Sequence, residues 1–169
     1  MKNIAVDIGK KKCVACIMDE DGTILEETSF ENTFKDASLF AENAVQRYQN
    51  CQAVCESTGN MWIKTHEAFE SHNIPVKLAN PLKTRAIAEA TIKTDKIDAR
   101  TLAHLLRTNM VSECYIAPSQ IRSDRLLLRH RTNLVQDRTR VVNRIHNLLD
   151  KYDVNYEDGK IFNLGASHG

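Results

Sequence analysis

The feature that most constrains the fold is the order of its periodicities. Three runs of strand character come first, then strands alternate with amphipathic helices. Asn3 to Ile8, Cys13 to Met18 and Thr23 to Phe30 read as strands, and Asp19-Glu20-Asp21-Gly22 supplies a hairpin turn between the second and third. Thr33 to Tyr48 places Phe34, Ala37, Phe40, Ala41, Ala44, Val45 and Tyr48 at three-four spacing, which predicts an amphipathic helix. A strand at Gln52 to Cys55, a helix at Asn60 to Ser71 and a strand at Ile74 to Leu78 follow. Pro75 fits the start of that last strand, where an edge tolerates a missing donor. A meander followed by alternation predicts an α/β fold with a mixed five-stranded sheet flanked by helices.

From Asn80-Pro81 the texture changes to basic helices. A short one is expected near Leu82 to Ala90 and another from about Asp95 to Thr108, followed by a turn around Pro118. Ser119 is placed to cap a long C-terminal helix running to about Leu149, and the tail from Asn155 to Gly169 reads as a linker. The expected organisation is a catalytic domain over residues 1–118, a long basic helix with coiled-coil character over 119–150, and a linker over 151–169.

The net charge of +1 conceals a segregation. Residues 1–80 hold 8 basic and 12 acidic side chains, whereas residues 81–150 hold 13 and 7. No run approaches the roughly 18 apolar residues of a spanning helix, and the N-terminus enters a strand directly, so a cytoplasmic protein without membrane association is expected. The 5 cysteines lack metal-ligand spacing and read as small core hydrophobes; Cys13 and Cys16, three apart on one strand, point to opposite faces. The 6 histidines are scattered and define no site.

Four carboxylates carry the chemistry. Asp7 sits in an otherwise apolar first strand, where an acid is costly unless charge balances it. Glu56 begins Glu56-Ser57-Thr58-Gly59 at the carboxyl end of the fourth strand, where α/β sheets place their ligands. Asp95 and Asp98 are spaced i, i+3, which puts both on one face if that stretch is helical. If the first and fourth strands are neighbours and this helix lies across their ends, the four acids converge. Such a cluster repels itself unless divalent cations bind, and hard oxygen ligands suit Mg²⁺ or Mn²⁺. Two such ions about 4 Å apart can activate a hydroxyl and stabilise the leaving oxygen of a phosphodiester.

Val6-Asp7-Ile8-Gly9, Glu56-Ser57-Thr58-Gly59 with Trp62 after it, Asn80-Pro81, and Lys93-Thr94-Asp95-Lys96-Ile97-Asp98-Ala99 together resemble the N-terminal domain of the DEDD transposases of the insertion-sequence one-ten family, which includes the Piv-type DNA invertases. The resemblance covers about residues 1–150 and fills all four acidic positions. It implies an RNase H-like fold of the RuvC type, with Asp7, Glu56, Asp95 and Asp98 as the catalytic and metal-binding tetrad for DNA strand cleavage and exchange. It also implies a second, C-terminal domain supplying a nucleophilic Ser, for which this chain has no match, and a structured noncoding guide RNA. The chain accordingly reads as an N-terminal fragment. Other readings are a stand-alone RuvC-like junction nuclease and a non-catalytic nucleic-acid-binding assembly module. Asp7-Ile8-Gly9 before a hairpin also resembles the phosphate-binding opening of actin-like ATPases and sugar kinases, a fold that needs more chain than 169 residues.

On the long helix, at roughly 100° per residue, Arg122, Arg125, Arg129, Arg140 and Arg144 fall within about 60° of one direction. Asn133, Gln136, Asn143 and Asn147 join them, and Leu127, Leu128, Leu134, Val135, Val141, Val142, Ile145, Leu148 and Leu149 lie opposite. Guanidinium forks suit phosphate, so the arginines are candidate nucleic-acid contacts. The apolar pairs repeat every seven residues, which suggests a homo-oligomer seam, although Arg131 and Arg138 interrupt it.

Overall fold

The computed structural model describes residues 1–57, 59–91 and 98–155. It divides into two units, Met1–Ile116 and Ala117–Gly169. In the first, the strands are β1 (Lys2–Ile8), β2 (Lys12–Met18), β3 (Ile24–Glu31), β4 (Cys51–Glu56) and β5 (Val76–Ala79). They form one sheet in the order β3-β2-β1-β4-β5. β1 pairs antiparallel with β2, and β2 with β3; β1 pairs parallel with β4, and β4 with β5. This is the mixed five-stranded sheet flanked by helices that the sequence pattern predicts. Its antiparallel half is made by short turns, and its parallel half by the crossovers that α1 (Phe34–Tyr48) and α2 (Trp62–Ser71) provide.

Local chemistry explains the boundaries. The Asp19 carboxylate accepts from the amides of Asp21 and Thr23, at 3.0 and 2.8 Å, and Gly22 takes φ +94°, which closes the β2–β3 turn. The Thr33 hydroxyl accepts from the Asp36 amide at 3.1 Å and so caps α1. Pro75 precedes β5 rather than lying in it, and its carbonyl accepts from the Ala53 amide at 2.8 Å.

Two hydrophobic layers sandwich the sheet. On one side Ile4, Val6, Ile8, Cys13, Ala15 and Ile17 meet Ala37, Ala41 and Ala44 of α1 and Ala68 and Phe69 of α2. The three alanines let α1 approach the strands closely, and Phe30, Phe40 and Phe69 stack in series at centroid distances of 5.0 and 5.8 Å. On the other side Ala5, Cys16, Met18 and Val54 meet Ala99, Leu102, Ala103 and Leu106 of α4 (Ala99–Arg107). Cys13 and Cys16 thus serve opposite layers, as their spacing requires. Between β5 and α4, α3 (Pro81–Thr91) begins where the Asn80 side-chain oxygen accepts from the Lys83 amide at 3.1 Å, with Pro81 as first residue.

In the second unit, α5 (Ser119–Lys151) is a single helix of 33 residues with no buried residue. Pro118, with extended ψ 151°, occupies the N-cap position, so Ser119 is the first helical residue and not the cap. The Ser119 hydroxyl therefore does not start this helix. No helix among the described residues is long and apolar enough to cross a membrane.

Phe69 is fully buried at the inner end of the aromatic stack. Phe69→Ala should destabilise the first unit by about 3–5 kcal/mol, read as a lowered urea midpoint; a loss under 1 kcal/mol would mean that the stack is not central to the core. Burial pushes the Cys55 thiol up to about 12 and the Cys16 thiol to about 11. Iodoacetamide at pH 8 should therefore spare Cys13, Cys16, Cys51 and Cys55 in the native protein and modify half-buried Cys114 first, as mass mapping would report.

Candidate nucleic-acid cleavage site

The site is built where the two halves of the sheet meet. β1 has an antiparallel neighbour on one side and a parallel one on the other. The β1–β4 register runs Ile4↔Ala53, Ala5↔Val54 and Val6↔Cys55, and its next step sets Asp7 beside Glu56. Neighbouring strands lie about 4.8 Å apart, and paired positions share a face. Asp7 alternates with Ala5, and Glu56 with Val54, so both carboxylates belong to the face that α4 covers. Each is half-buried. Glu56 is the last residue of β4 and not the first of the turn. The turn after it is held by the Ser57 amide, which donates to the Ala79 carbonyl at 3.1 Å, and by the Trp62 indole, which donates to the Gly59 carbonyl at 3.0 Å. Gly59 there takes φ +57°.

Asp98 approaches from the helix layer. It stands at the N-cap of α4 with extended backbone (φ −119°, ψ 179°), and its Oδ1 accepts from the Thr101 amide at 2.8 Å. The helix starts at Ala99, four residues later than the sequence suggested, with the Asp98 side chain opening it. Asp98 is therefore a cap with extended backbone and not a helical residue; Asp95, with residues 92–97, lies outside the described residues. The C-terminal end of α4 lies by the β2–β3 turn, where Arg107 Nη1 donates to the Glu20 carbonyl at 3.3 Å. Its N-terminus consequently points toward the sheet end that carries Asp7 and Glu56.

Sequence reasoning missed one pair that orders this end. Arg100, in the first turn of α4, grips Glu27 of β3 through two hydrogen bonds, Nε to Oε1 and Nη2 to Oε2, the latter at 2.6 Å. The Arg100 guanidinium holds the Glu27 carboxyl below its ordinary value. As the pH falls through that lowered value the carboxyl protonates and the grip weakens, so the link is complete at neutral pH. The available signal was an acid on the α4 face of an edge strand, which reads as ordinary surface charge until α4 is in place.

Chemically, Asp7, Glu56 and Asp98 offer hard oxygen donors of the kind that divalent cations take. Asp98 spends one oxygen on its cap, and its Oδ2 takes no hydrogen bond among the described residues. Among the described residues, no three His, Cys, Asp or Glu side chains are already drawn together in a metal-holding group. A cavity of about 360 Å³ between β3 and α1, lined by Glu26, Phe30, Phe40 and Arg47 among others, contains none of the four candidate acids.

In the second unit, Arg125, Arg129, Arg140 and Arg144 are exposed along α5. Arg140 pairs with Asp137 at 3.0 Å, and Arg122 Nη1 donates to the Ala117 carbonyl at 3.0 Å. The apolar stripe is exposed as well, with Leu127 at 69% and Leu134 at 56%.

An uncharacterized 44.8 kDa protein of insertion element IS116 from Streptomyces clavuligerus is 28% identical over 152 residues, which cover 86% of this chain and 37% of that protein. The chain thus spans well under half the length of this curated relative. Among solved structures, Thermus thermophilus RuvC has 12% identity and a TM-score of 0.44, covering 70% of this chain and 85% of that one. The large terminase nuclease of thermophilic phage G20c has 19% identity and a TM-score of 0.42, covering 66% and 56%. The IS110-type DEDD transposase family matches residues 4–153, through both units and past the end of α5, and the chain belongs to that family.

Proposed function

We propose that this chain is the N-terminal catalytic part of a DEDD transposase that cleaves and exchanges DNA strands with divalent metal ions. The observation that carries the proposal is the placement of Asp7 beside Glu56 on the face covered by α4, with Asp98 at the start of that helix. Two half-buried carboxylates carried on neighbouring strands offer hard oxygen donors of the kind that divalent cations take.

Asp7, Glu56, Asp95 and Asp98 would hold Mg²⁺ or Mn²⁺. When bound, such ions lower the pKa of an attacking hydroxyl and stabilise the leaving oxygen of a phosphodiester. The rest is the protein's own work. β1 and β4 fix two carboxylates to a rigid sheet, so that little ordering remains to be done when substrate arrives. The Asp98 cap and the Glu27–Arg100 link hold the third carboxylate to the start of α4. Arg122, Arg125, Arg129, Arg140 and Arg144 would bind phosphates of DNA and of a structured guide RNA, the latter resting on family membership. The exposed stripe through Leu127 and Leu134 supports pairing of α5 with a second copy. Exchange of strands would further require the serine of a second domain, outside this chain.

Two substitutions separate the reading from a structural role. Glu56→Gln keeps shape and removes charge, and Asp98→Asn also keeps the cap, since Asn serves there as well as Asp. In calorimetry with Mn²⁺, each should weaken binding at least about tenfold while shifting stability by under about 0.5 kcal/mol. Unchanged Mn²⁺ affinity in both would remove these residues from the site. For α5, Arg125→Ala/Arg129→Ala should lower the salt dependence of DNA binding by about two phosphate contacts; an unaltered slope would take the helix out of the interface.

A further inference from the structure

We propose that the Gly9–Lys12 turn is a phosphate-binding element that grips the sugar-phosphate backbone of the strand presented to Asp7 and Glu56. The inference rests on the nucleic-acid reading above and adds a contact that the charge distribution of the chain conceals. Lys10, Lys11 and Lys12 are consecutive, and they lie in the half of the sequence where acids outnumber bases.

Position comes first. The turn leaves β1 directly after Ile8 and returns as β2, so it begins two residues beyond Asp7, at the end of the sheet where Glu56 also lies. Asp7 pairs with Val14, and Lys12 alternates with Val14, so Lys12 belongs to the same face as Asp7. Beside it on that face Val14 is 45% exposed, which leaves sheet surface open next to the carboxylates.

The three amines are also available. All three lysines are exposed, and among the described residues their side chains make no ion pair or hydrogen bond. The acid facing them across the strands is Glu31, opposite Lys12 in the β2–β3 register, and it makes no ion pair with Lys12. Three unpaired cations close together in sequence repel one another, and an incoming phosphate relieves that repulsion. They would also offset the repulsion between a phosphodiester and the acids of the site.

The backbone beneath them is fixed. The Gly9 amide donates to the Lys12 carbonyl at 3.1 Å, and a Cβ on Gly9 would stand 2.4 Å from that same oxygen, so the turn admits only glycine there. Asn32, itself buried, staples the turn from the start of the α1 connection. Its amide donates to the Lys11 carbonyl at 2.8 Å and its Nδ2 to the Gly9 carbonyl at 2.9 Å. Lys64 of α2 in turn donates to the Asn32 carbonyl at 3.1 Å. Rigid carbonyls carrying free amines are a preorganised anion site, because the backbone loses nothing further on binding.

The test uses the whole chain, fluorescently labelled short DNA duplex and RNA hairpin probes, and a salt series. Lys10→Ala/Lys11→Ala/Lys12→Ala should lower the slope of log affinity against log salt by about two to three relative to the unsubstituted chain. The charge-conserving triple Arg variant should keep the slope, and both should keep the thermal midpoint and the Mn²⁺ affinity. A loss seen on one probe only assigns the turn to that nucleic acid. An unchanged slope on both probes while Glu56→Gln still abolishes Mn²⁺ binding overturns this proposal alone. An unsubstituted chain that binds neither probe overturns it together with the nucleic-acid reading.

Discussion

The parallel pairing of β1 with β4 is the constraint on which the rest of the site depends. It sets Asp7 and Glu56 toward adjacent positions on the face of the sheet that α4 packs against. α4 packs over Ala5, Cys16, Met18 and Val54 and begins at Ala99, after the Asp98 cap. The sheet changes from antiparallel to parallel at β1, and in sheets of this kind the carboxyl ends of parallel strands are where ligands are placed.

Around these strand ends, most motif residues serve the backbone more than the chemistry. Asn80 and Pro81 start α3, Trp62 secures the turn after Glu56, and Gly9 permits a close approach in the hairpin. Asp98 belongs to both classes, since the carboxylate that opens α4 through one oxygen keeps a second that takes no hydrogen bond among the described residues. A helix whose first turn carries Arg100 fixed to β3 cannot swing away without breaking a two-point ion pair. The orientation of Asp98 is thus set twice, by its own cap and by its neighbour's grip.

Most of the strand order was legible because the relevant signals are local. The Asp19 to Gly22 turn, the continuous apolar run Cys13 to Met18 and the three-four spacing from Phe34 to Tyr48 each depend on residues within one element. The placement of Asp7 beside Glu56 was conditional in the sequence, because register between positions 49 residues apart depends on the crossover through α1. The helix expected from about Asp95 instead begins at Ala99, because an aspartate able to bond the amide three residues on caps a helix rather than lying within it. Ser119 failed in the opposite sense, since Pro118, lacking an amide and held extended, already breaks the chain there. The Glu27–Arg100 pair joins positions 73 apart and leaves no trace in either local pattern.

The two edges of the sheet differ in a way that reaches beyond one molecule. β5 is covered, because the Asn80 amide donates to the Ser112 carbonyl and the Cys114 amide to the Leu78 carbonyl. β3 borders the sheet on the other side and carries Glu26, Glu27 and Glu31 among its eight residues. A strand from another copy adding there in antiparallel fashion would bring carboxylate rows together at a spacing of about 5 Å. The acidic excess of the first half of the chain therefore also acts as a fence, which discourages end-to-end growth of the sheet into fibrous aggregates.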